Sequence, residues 1–324
     1  MKRGLQIALG VLFAAMVTGA VGSAWLAMHA APTGPAAHSD KPDLNGRRIA
    51  HAQGVTLIPH EPVKVAVLDP SALDIADALG IKPAGVAGDA FPGHLAKYAG
   101  TEYPRLGTLF EPDFEQIHAM GFDLVITGGR SSAKFQAVSA IAPTIDMREN
   151  DAQPLQGIVS NVLMLGSVFK RETAAQELVA RLTRNVAALH AKTHSRGTGL
   201  IVLVSGGRMS AYGPGSRFGM IHTDFGVPPA VTTLAKSLHG EAISAEFIMK
   251  VNPDWLFVID RDAAIGERGA ARQVLDNALV RRTTAWTKGQ VLYLDPVNIY
   301  LVGNGIQSIE ALVREISLAY DHVR

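Results

Sequence analysis

The sequence predicts an α/β protein that is built from two similar lobes. Strand and helix patterns alternate from residue 63 onward, and one helix–strand unit occurs twice. In the first copy, Glu115 is followed by an Ile two residues later, an Asp eight later, an apolar strand, and Arg130 fifteen later. Glu246 and Arg261 bound a second unit with the same spacing. Chance similarity is the alternative, and the shared spacing favours a repeat.

The first residues predict export from the cytoplasm. Met1-Lys2-Arg3 precedes an uncharged run at 4–28, and a segment containing Pro, Ala and Gly follows at 30–35. The run is long enough to span a bilayer, so residues 1–31 are either a signal peptide or an N-terminal membrane anchor. The chain has no Cys, which excludes a lipid-anchored cysteine, disulfides and thiolate metal sites.

The elements of the first lobe follow the leader. Residues 32–54 show little periodicity and are interpreted as a linker. Residues 55–156 form the predicted N-terminal α/β lobe, which opens with a β-branched strand at 63–68. Asp69-Pro70 ends that strand, and Ser71 is expected to cap the next helix.

A helical segment at 157–196 separates the two predicted lobes. Gly166 is expected to break it, and the part that begins at Glu172 has apolar residues at helical spacing over about 22 residues. This helix is either a stiff strut between lobes or an ordinary surface helix, and the flanking repeats favour the strut. Residues 197–324 form the C-terminal α/β lobe, which ends in an amphipathic helix at 307–323.

The charge distribution argues for local anion binding rather than nucleic-acid binding. The chain has 30 basic and 29 acidic residues, so it creates no large electrostatic field. Arg130 and Arg261 each lie just past the C-terminal end of a predicted strand, where open α/β sheets place their ligand sites. The two arginines predict a cleft that faces an anion from both sides.

Three later segments carry a resemblance to a known family: residues 210–219, Val258-Ile259-Asp260-Arg261, and Tyr293-Leu294-Asp295-Pro296 before Tyr300-Leu301. In this order they resemble periplasmic siderophore-binding proteins of ABC importers, in particular the catecholate and petrobactin-type group. The resemblance covers the chain from about residue 55 to its end. It implies a class III periplasmic binding protein fold, in which two Rossmann-like lobes are joined by a single long α-helix.

The resemblance also implies a ligand site, which consists of Arg130, Arg217, Arg261, His239 and Tyr300. The three arginines suit a ferric catecholate trianion, because guanidinium groups keep their charge and donate several fixed hydrogen bonds. His239 and Tyr300 are implied to contact Fe(III) directly where the siderophore leaves coordination positions vacant. The expected ligand is the Fe(III)–siderophore complex, with no permanently bound cofactor.

The implied function is capture and delivery without catalysis. The protein is expected in the periplasm as a monomer, either free or tethered to the inner membrane. Its expected partner is the permease dimer of an ABC importer. Glu115 and Glu246 hold equivalent places in the repeat, and the resemblance implies that such glutamates dock on permease arginines. Glu111 is the alternative in the first lobe.

Two other functions stay open at this stage. A haem or corrinoid carrier of the same fold would need fewer arginines and a more apolar cleft. An exported metal-dependent hydrolase would use His239 with nearby carboxylates, but the sequence offers no recognisable third ligand and no general base.

Overall fold

Two separate β-sheets organise the chain in the computed structural model, which describes residues 46–91, 93–148, 152–237 and 239–322. The predicted leader and linker residues 32–45 lie outside the described residues. Within the described ranges, no helix has both the length and the apolar character that crossing a bilayer requires.

The first lobe is built on a parallel sheet with the strand order β4-β3-β5-β6. Its strands are β3 (Val65–Val67), β4 (Gly85–Val86), β5 (Leu124–Thr127) and β6 (Thr144–Asp146). Its helices are α1 (Pro70–Ala78), α2 (Phe114–Met120) and α3 (Phe135–Ser139), with 3-10 turns at Gly93–Ala99 and Gly129–Lys134. Every residue of the four strands is buried, as expected for a parallel sheet that is covered on both faces.

The linker prediction is wrong over residues 47–54. β1 (Arg47–His51) and β2 (Gly54–Ile58) form an antiparallel hairpin. Thr56 Oγ1 donates a 2.6 Å hydrogen bond to the carbonyl of Thr144, which fastens the hairpin beside β6. Only Ile49 and Ile58 bury their side chains in the core, so the alternation that identifies a strand is too weak to detect in the sequence.

Asp69, rather than Ser71, caps helix α1. Its Oδ1 accepts hydrogen bonds from the backbone N–H groups of Ser71 and Ala72, each at 3.0 Å. Pro70 is the first helical residue, where its missing N–H costs nothing. Asp and Ser are equally good caps. Because proline is favoured at the first helical position, Pro70 makes the residue before it, Asp69, the cap.

Two helices lie between the sheets along the chain: α4 (Pro154–Val168) and the 22-residue α5 (Glu172–Thr193), which is the long helix that leads into the second lobe. The predicted break at Gly166 is wrong, because α4 continues through it to Val168. A Cβ on Gly166 would lie 2.5 Å from Cβ of Ala175, so this glycine permits close contact between the two helices. The chain turns instead at Lys170, which has a positive φ of 53°.

The second lobe is built on a mixed sheet with the order β11-β10-β7-β8-β9, in which β7, β10 and β11 are parallel. Its strands are β7 (Gly199–Ser205), β8 (Arg208–Tyr212), β9 (Glu241–Ile243), β10 (Trp255–Asp260) and β11 (Val291–Tyr293). Its helices are α6 (Met220–Thr223), α7 (Ala245–Val251), α8 (Arg261–Ala264), α9 (Ala271–Leu275), α10 (Thr284–Thr287) and α11 (Ile306–His322). A 3-10 turn at Val280–Arg282 and a π-helical turn at Val297–Val302 complete it.

The predicted repeat is confirmed as a structural unit. Helices α2 and α7 run into β5 and β10, and an aspartate stands directly before each strand. The Asp123 carboxylate accepts the N–H of Lys64 at 2.8 Å, and the Asp254 carboxylate accepts the N–H of Thr198 at 2.8 Å. Each acceptor therefore bonds the residue before the neighbouring parallel strand, which fixes the strand register in the same way in both lobes.

Candidate functional site

Residues of both lobes line one cavity of about 370 Å³. From the first lobe, Asp69 and Gly129 follow the C-terminal ends of β3 and β5. From the second lobe, Arg217, His239 and Tyr300 reach the same space. The cavity thus has the position in which open α/β sheets bind ligands.

Arg130 extends from the first lobe toward the second. It follows β5 through a Gly128-Gly129 turn, where Gly129 has a positive φ of 45° that favours glycine. Its Nη1 donates to the carbonyl of Leu301 at 3.2 Å, and its Nη2 donates to the carbonyl of Tyr300 at 3.1 Å. The residue bridges the lobes through backbone acceptors.

Arg217 approaches Tyr300 from within the second lobe. Its Nη2 donates a 2.6 Å hydrogen bond to the Tyr300 carbonyl, and its Cζ lies 4.3 Å from the centre of the Tyr300 ring. A compact turn after β8 presents this arginine, and a Cβ on Gly219 would lie only 2.7 Å from the backbone nitrogen of Gly215. Glycine is therefore needed for the turn to close.

Arg261 begins α8 at the end of β10 and contacts the tip of the same tyrosine. Its Nε lies 3.2 Å from Tyr300 Oη, and its Nη1 lies 3.5 Å from Asp262 Oδ1. The hydrogen bond with Tyr300 raises the pKa of Arg261, so the group stays charged. Arg261 does not itself line the cavity and reaches it through the Tyr300 hydroxyl.

Tyr300 is the point on which the three arginines converge. It lies in the π-helical turn at Val297–Val302 and is partly buried. Burial alone would raise the pKa of Tyr300, but the hydrogen bonds and charges of Arg217 and Arg261 outweigh burial, and its pKa is lowered. The phenolate, which is a hard oxygen donor of the kind that Fe(III) favours, is thus easier to form here than in water.

His239 lies on the exposed loop before β9 and lines the cavity. Its backbone N–H donates to Ser237 Oγ at 3.1 Å. The next residue, Gly240, has a positive φ of 70°, and a Cβ there would lie 2.7 Å from Tyr212 Cε2. The glycine therefore allows the loop to pack closely against β8.

A model of the periplasmic binding protein family matches residues 65–297. The chain belongs to this family. The chain is 36% identical over 264 residues to the petrobactin-binding protein YclQ of Bacillus subtilis, which covers 81% of this chain and 83% of that protein. It is 35% identical over 279 residues to the ferric-anguibactin-binding protein FatB of Vibrio anguillarum, which covers 84% and 87% respectively.

Solved structures of the family share the fold. The crystal structure of YclQ superposes with a TM-score of 0.82 at 34% identity and covers 85% of this chain and 98% of its own. The siderophore-binding protein BauB, bound to two molecules of acinetobactin and ferric iron, gives a TM-score of 0.79 at 33% identity, with coverage of 85% and 98%. The protein therefore has the class III periplasmic binding protein fold that the resemblance implied.

A row of alternating aromatic rings and guanidinium groups crosses the cavity, and the sequence did not predict its two outer members, Phe110 and Phe218. Phe110, Arg130, Tyr300, Arg217 and Phe218 follow one another, with guanidinium-to-ring distances of 5.9, 5.4, 4.3 and 5.1 Å. Phe110 is 60% exposed although it is a large apolar residue, so its ring is available to a ligand. A single Phe in a loop rich in Gly and Pro carries no pattern that identifies it.

Asp69 is a further cavity residue that the sequence did not predict. The residue is 5% exposed, and burial raises the pKa of its carboxyl despite the hydrogen bonds from Ser71 and Ala72 and the nearby charge of Arg130. A carboxyl group whose anion is disfavoured offers less repulsion to an anionic ligand than an ordinary aspartate would.

The glutamates considered for docking differ in their surroundings. Both carboxylate oxygens of Glu111 accept hydrogen bonds from Lys134 Nζ, at 2.9 and 2.7 Å. Glu115 and Glu246 are exposed in the first turns of α2 and α7. The repeat thus presents these last two side chains from equivalent positions.

Among the residues that the structure describes, no group of three or more His, Asp or Glu side chains is arranged to hold a metal ion. His239 is therefore without the carboxylate partners that the hydrolase interpretation would need. The cavity also carries two guanidinium groups in its lining, whereas the haem or corrinoid interpretation predicts a more apolar cleft. No observation in the described chain favours either alternative.

Proposed function

We propose that the protein captures a ferric siderophore of the catecholate type in the interlobe cavity and delivers it to the permease of an ABC importer. The observation that carries this proposal is the convergence of Arg130, Arg217 and Arg261 on Tyr300. Three fixed cations around one phenol suit a large trianionic iron complex better than a neutral or cationic ligand.

The relatives support this choice of ligand. YclQ is named for petrobactin binding, FatB for ferric anguibactin, and BauB is bound to ferric acinetobactin. All three names specify a siderophore or its ferric complex. The same class of cargo is the simplest ligand for this chain.

When the ligand enters, the arginines exchange backbone carbonyl acceptors for oxygen atoms of the ligand. In the structure, Arg130 and Arg217 donate to the backbone carbonyls of Tyr300 and Leu301. Charged catecholate oxygens are stronger acceptors than neutral carbonyls, so the guanidinium groups turn to the ligand. Tyr300 and His239 then contact Fe(III) wherever the siderophore leaves coordination positions vacant.

Delivery requires the periplasm and a membrane partner. The protein acts there as a monomer that binds and releases its cargo without converting it, and an N-terminal signal or anchor exports it. Glu115 and Glu246 dock on the two halves of the permease dimer, since they occupy equivalent positions of the repeat. The chain divides into a first lobe that begins with the β1–β2 hairpin at residue 47 and ends at 156, a connection at 157–196, and a second lobe at 197–324.

Direct titration tests the proposal. Purified protein is titrated with a tetradentate ferric bis-catecholate, a hexadentate ferric tris-catecholate, ferric citrate, haem and a corrinoid, and quenching of Trp and Tyr fluorescence is followed. Iron-free siderophores serve as controls for inner-filter effects. We expect saturable binding of ferric catecholates; saturation by haem or the corrinoid alone would contradict the proposal.

A further inference from the structure

Asp74 is a fully buried carboxylate in the middle of α1 that holds the N-terminus of α11. Its Oδ1 accepts the backbone N–H of Gln307 at 2.7 Å. Its Oδ2 accepts the backbone N–H of Ser308 at 3.1 Å and the Ser308 hydroxyl at 2.9 Å, and it lies 2.8 Å from His94 Nε2. A first-lobe side chain therefore caps the last helix of the chain.

The chemistry of this contact suits a carboxylate side chain. The first N–H groups of a helix have no partner inside the helix, and the helix dipole places partial positive charge there. Asp74 supplies the acceptor that α11 lacks locally, because Gly305 stands directly before the helix. A Cβ on Gly305 would lie 2.4 Å from Asp74 Cγ, so the glycine makes room for the carboxylate.

The same contact continues toward the ligand site. Ser308 Oγ lies 3.3 Å from Asn298 Oδ1. The Ser308 hydroxyl has two acceptors within reach, Asp74 Oδ2 at 2.9 Å and Asn298 Oδ1 at 3.3 Å, and so links these two side chains. The backbone carbonyl of Asn298 accepts the backbone N–H of Gly303 at 2.8 Å and so closes the turn that carries Tyr300.

We infer that Asp74 is a positioning residue for Tyr300 and acts through Ser308 and Asn298. These three side chains form the Asp74 relay. This inference deepens the proposed function and rests on it. On the cavity side, the Tyr300 backbone is held by Arg130 and Arg217, the groups that an anionic ligand claims. The contact from Asp74 lies behind the turn, out of the cavity lining, and keeps Tyr300 in place while those arginines change partners.

The consequence is a difference between ligand classes. A tetradentate ferric complex needs Tyr300 to complete the iron coordination, whereas a hexadentate complex does not. Loss of the Asp74 relay should therefore weaken tetradentate ligands selectively. A carboxylate that merely stabilised α11 would affect both classes alike.

Four variants test the relay. Ser308→Ala removes the link to Asn298 but leaves the two backbone N–H bonds to Asp74. Ser308→Thr, by contrast, keeps a hydroxyl at this position. Asp74→Asn weakens the entire cap. Glu310→Gln is the matched control on the same helix, because Glu310 accepts hydrogen bonds from Arg181 of α5 at 2.7 and 3.0 Å, on another face of α11.

Two measurements are made on each variant. The first is the phenol pKa of Tyr300 in ligand-free protein, from the near-ultraviolet phenolate absorbance that Tyr300→Phe removes. The second is the affinity for a tetradentate ferric bis-catecholate and for a hexadentate ferric tris-catecholate. We expect Ser308→Ala and Asp74→Asn to raise the Tyr300 pKa and to weaken the tetradentate complex roughly tenfold, or about 1.4 kcal/mol.

Ser308→Thr should recover most of that loss, and Glu310→Gln should leave the ratio of the two affinities unchanged. A wild-type ratio and a wild-type Tyr300 pKa in Ser308→Ala would overturn the inference, as would equal losses for both ligand classes. If the wild type binds neither complex, the proposed function fails, and the ligand-free titration of Tyr300 still decides whether Asp74 positions it.

Discussion

The Arg217 guanidinium stacks 4.3 Å from the centre of the Tyr300 ring while it donates a 2.6 Å hydrogen bond to the backbone carbonyl of that residue. Arg130 contacts the same carbonyl, and Arg261 contacts the hydroxyl. The three cations are therefore organised around one tyrosine. Every prediction about ligand affinity depends on this arrangement.

Single arginine substitutions should each weaken binding of a ferric tris-catecholate. For Arg130→Ala and Arg217→Ala, which line the cavity, we expect losses of about 1.5 to 3 kcal/mol, the scale of hydrogen bonds to charged groups. Arg261→Ala should cost less, because Arg261 reaches the cavity only through Tyr300. Arg→Lys should recover only part, because an ammonium cannot reproduce the planar donor fork. Fluorescence titration measures the effect, with the exposed Arg281→Ala as control. Unchanged affinity in all three variants would rule out the site.

Direct iron contact should appear in the visible spectrum. A tetradentate ferric bis-catecholate bound to the wild type should show a charge-transfer band displaced from that of the free complex, because Tyr300 phenolate and His239 imidazole enter the coordination sphere. Tyr300→Phe and His239→Ala should each remove part of the displacement. A hexadentate complex is the control and should show little change. Identical spectra in the wild type and both variants would mean that the iron has no protein ligand.

Acid pH should destabilise the protein through His222. This side chain is 8% exposed, and burial lowers its pKa below the ordinary 6.5 in spite of the backbone hydrogen bonds to its ring. The unfolded chain therefore takes up a proton first, and stability is lost as the pH falls from about 6.5 toward the pKa of the folded state.

Urea unfolding at several pH values measures this loss of stability. His222→Asn, which keeps a donor but cannot ionise in this range, should show a shallower decrease of the free energy of unfolding below about pH 6.5. The exposed His118→Gln is the control. Parallel pH profiles for the wild type and His222→Asn would refute the prediction.

Docking should depend on the repeated glutamates and not on ligand affinity. The double variant Glu115→Ala with Glu246→Ala should slow iron–siderophore uptake by cells, because charged rim contacts set the orientation and rate of association. Siderophore affinity of the purified variant should stay at the wild-type value. Glu111→Ala, which removes the ion pair with Lys134, is the comparison in the first lobe. Normal uptake by the double variant at normal protein levels would dismiss the docking role.

The repeat shows what the sequence could predict. Ile117 and Ile248 are both fully buried, each two residues after the glutamate, because helical periodicity places them on the core face. Asp123 and Asp254 stand at the same step before a strand and make the same kind of bond. These features depend on short-range periodicity and capping, which a single sequence records. The β1–β2 hairpin was missed, since its strands bury few side chains.

By itself, the sequence determined the α/β class and the long connecting helix, and through family resemblance it predicted five candidate site residues. Only the tertiary structure decided how these residues meet. Arg130 and Tyr300 lie 170 positions apart, and no local pattern links an arginine to a carbonyl that the fold brings within 3.1 Å. The cap that Asp74 gives to α11 spans 234 positions to Ser308 for the same reason. Hydrogen bonds between distant segments form only once the core has packed and fixed both partners.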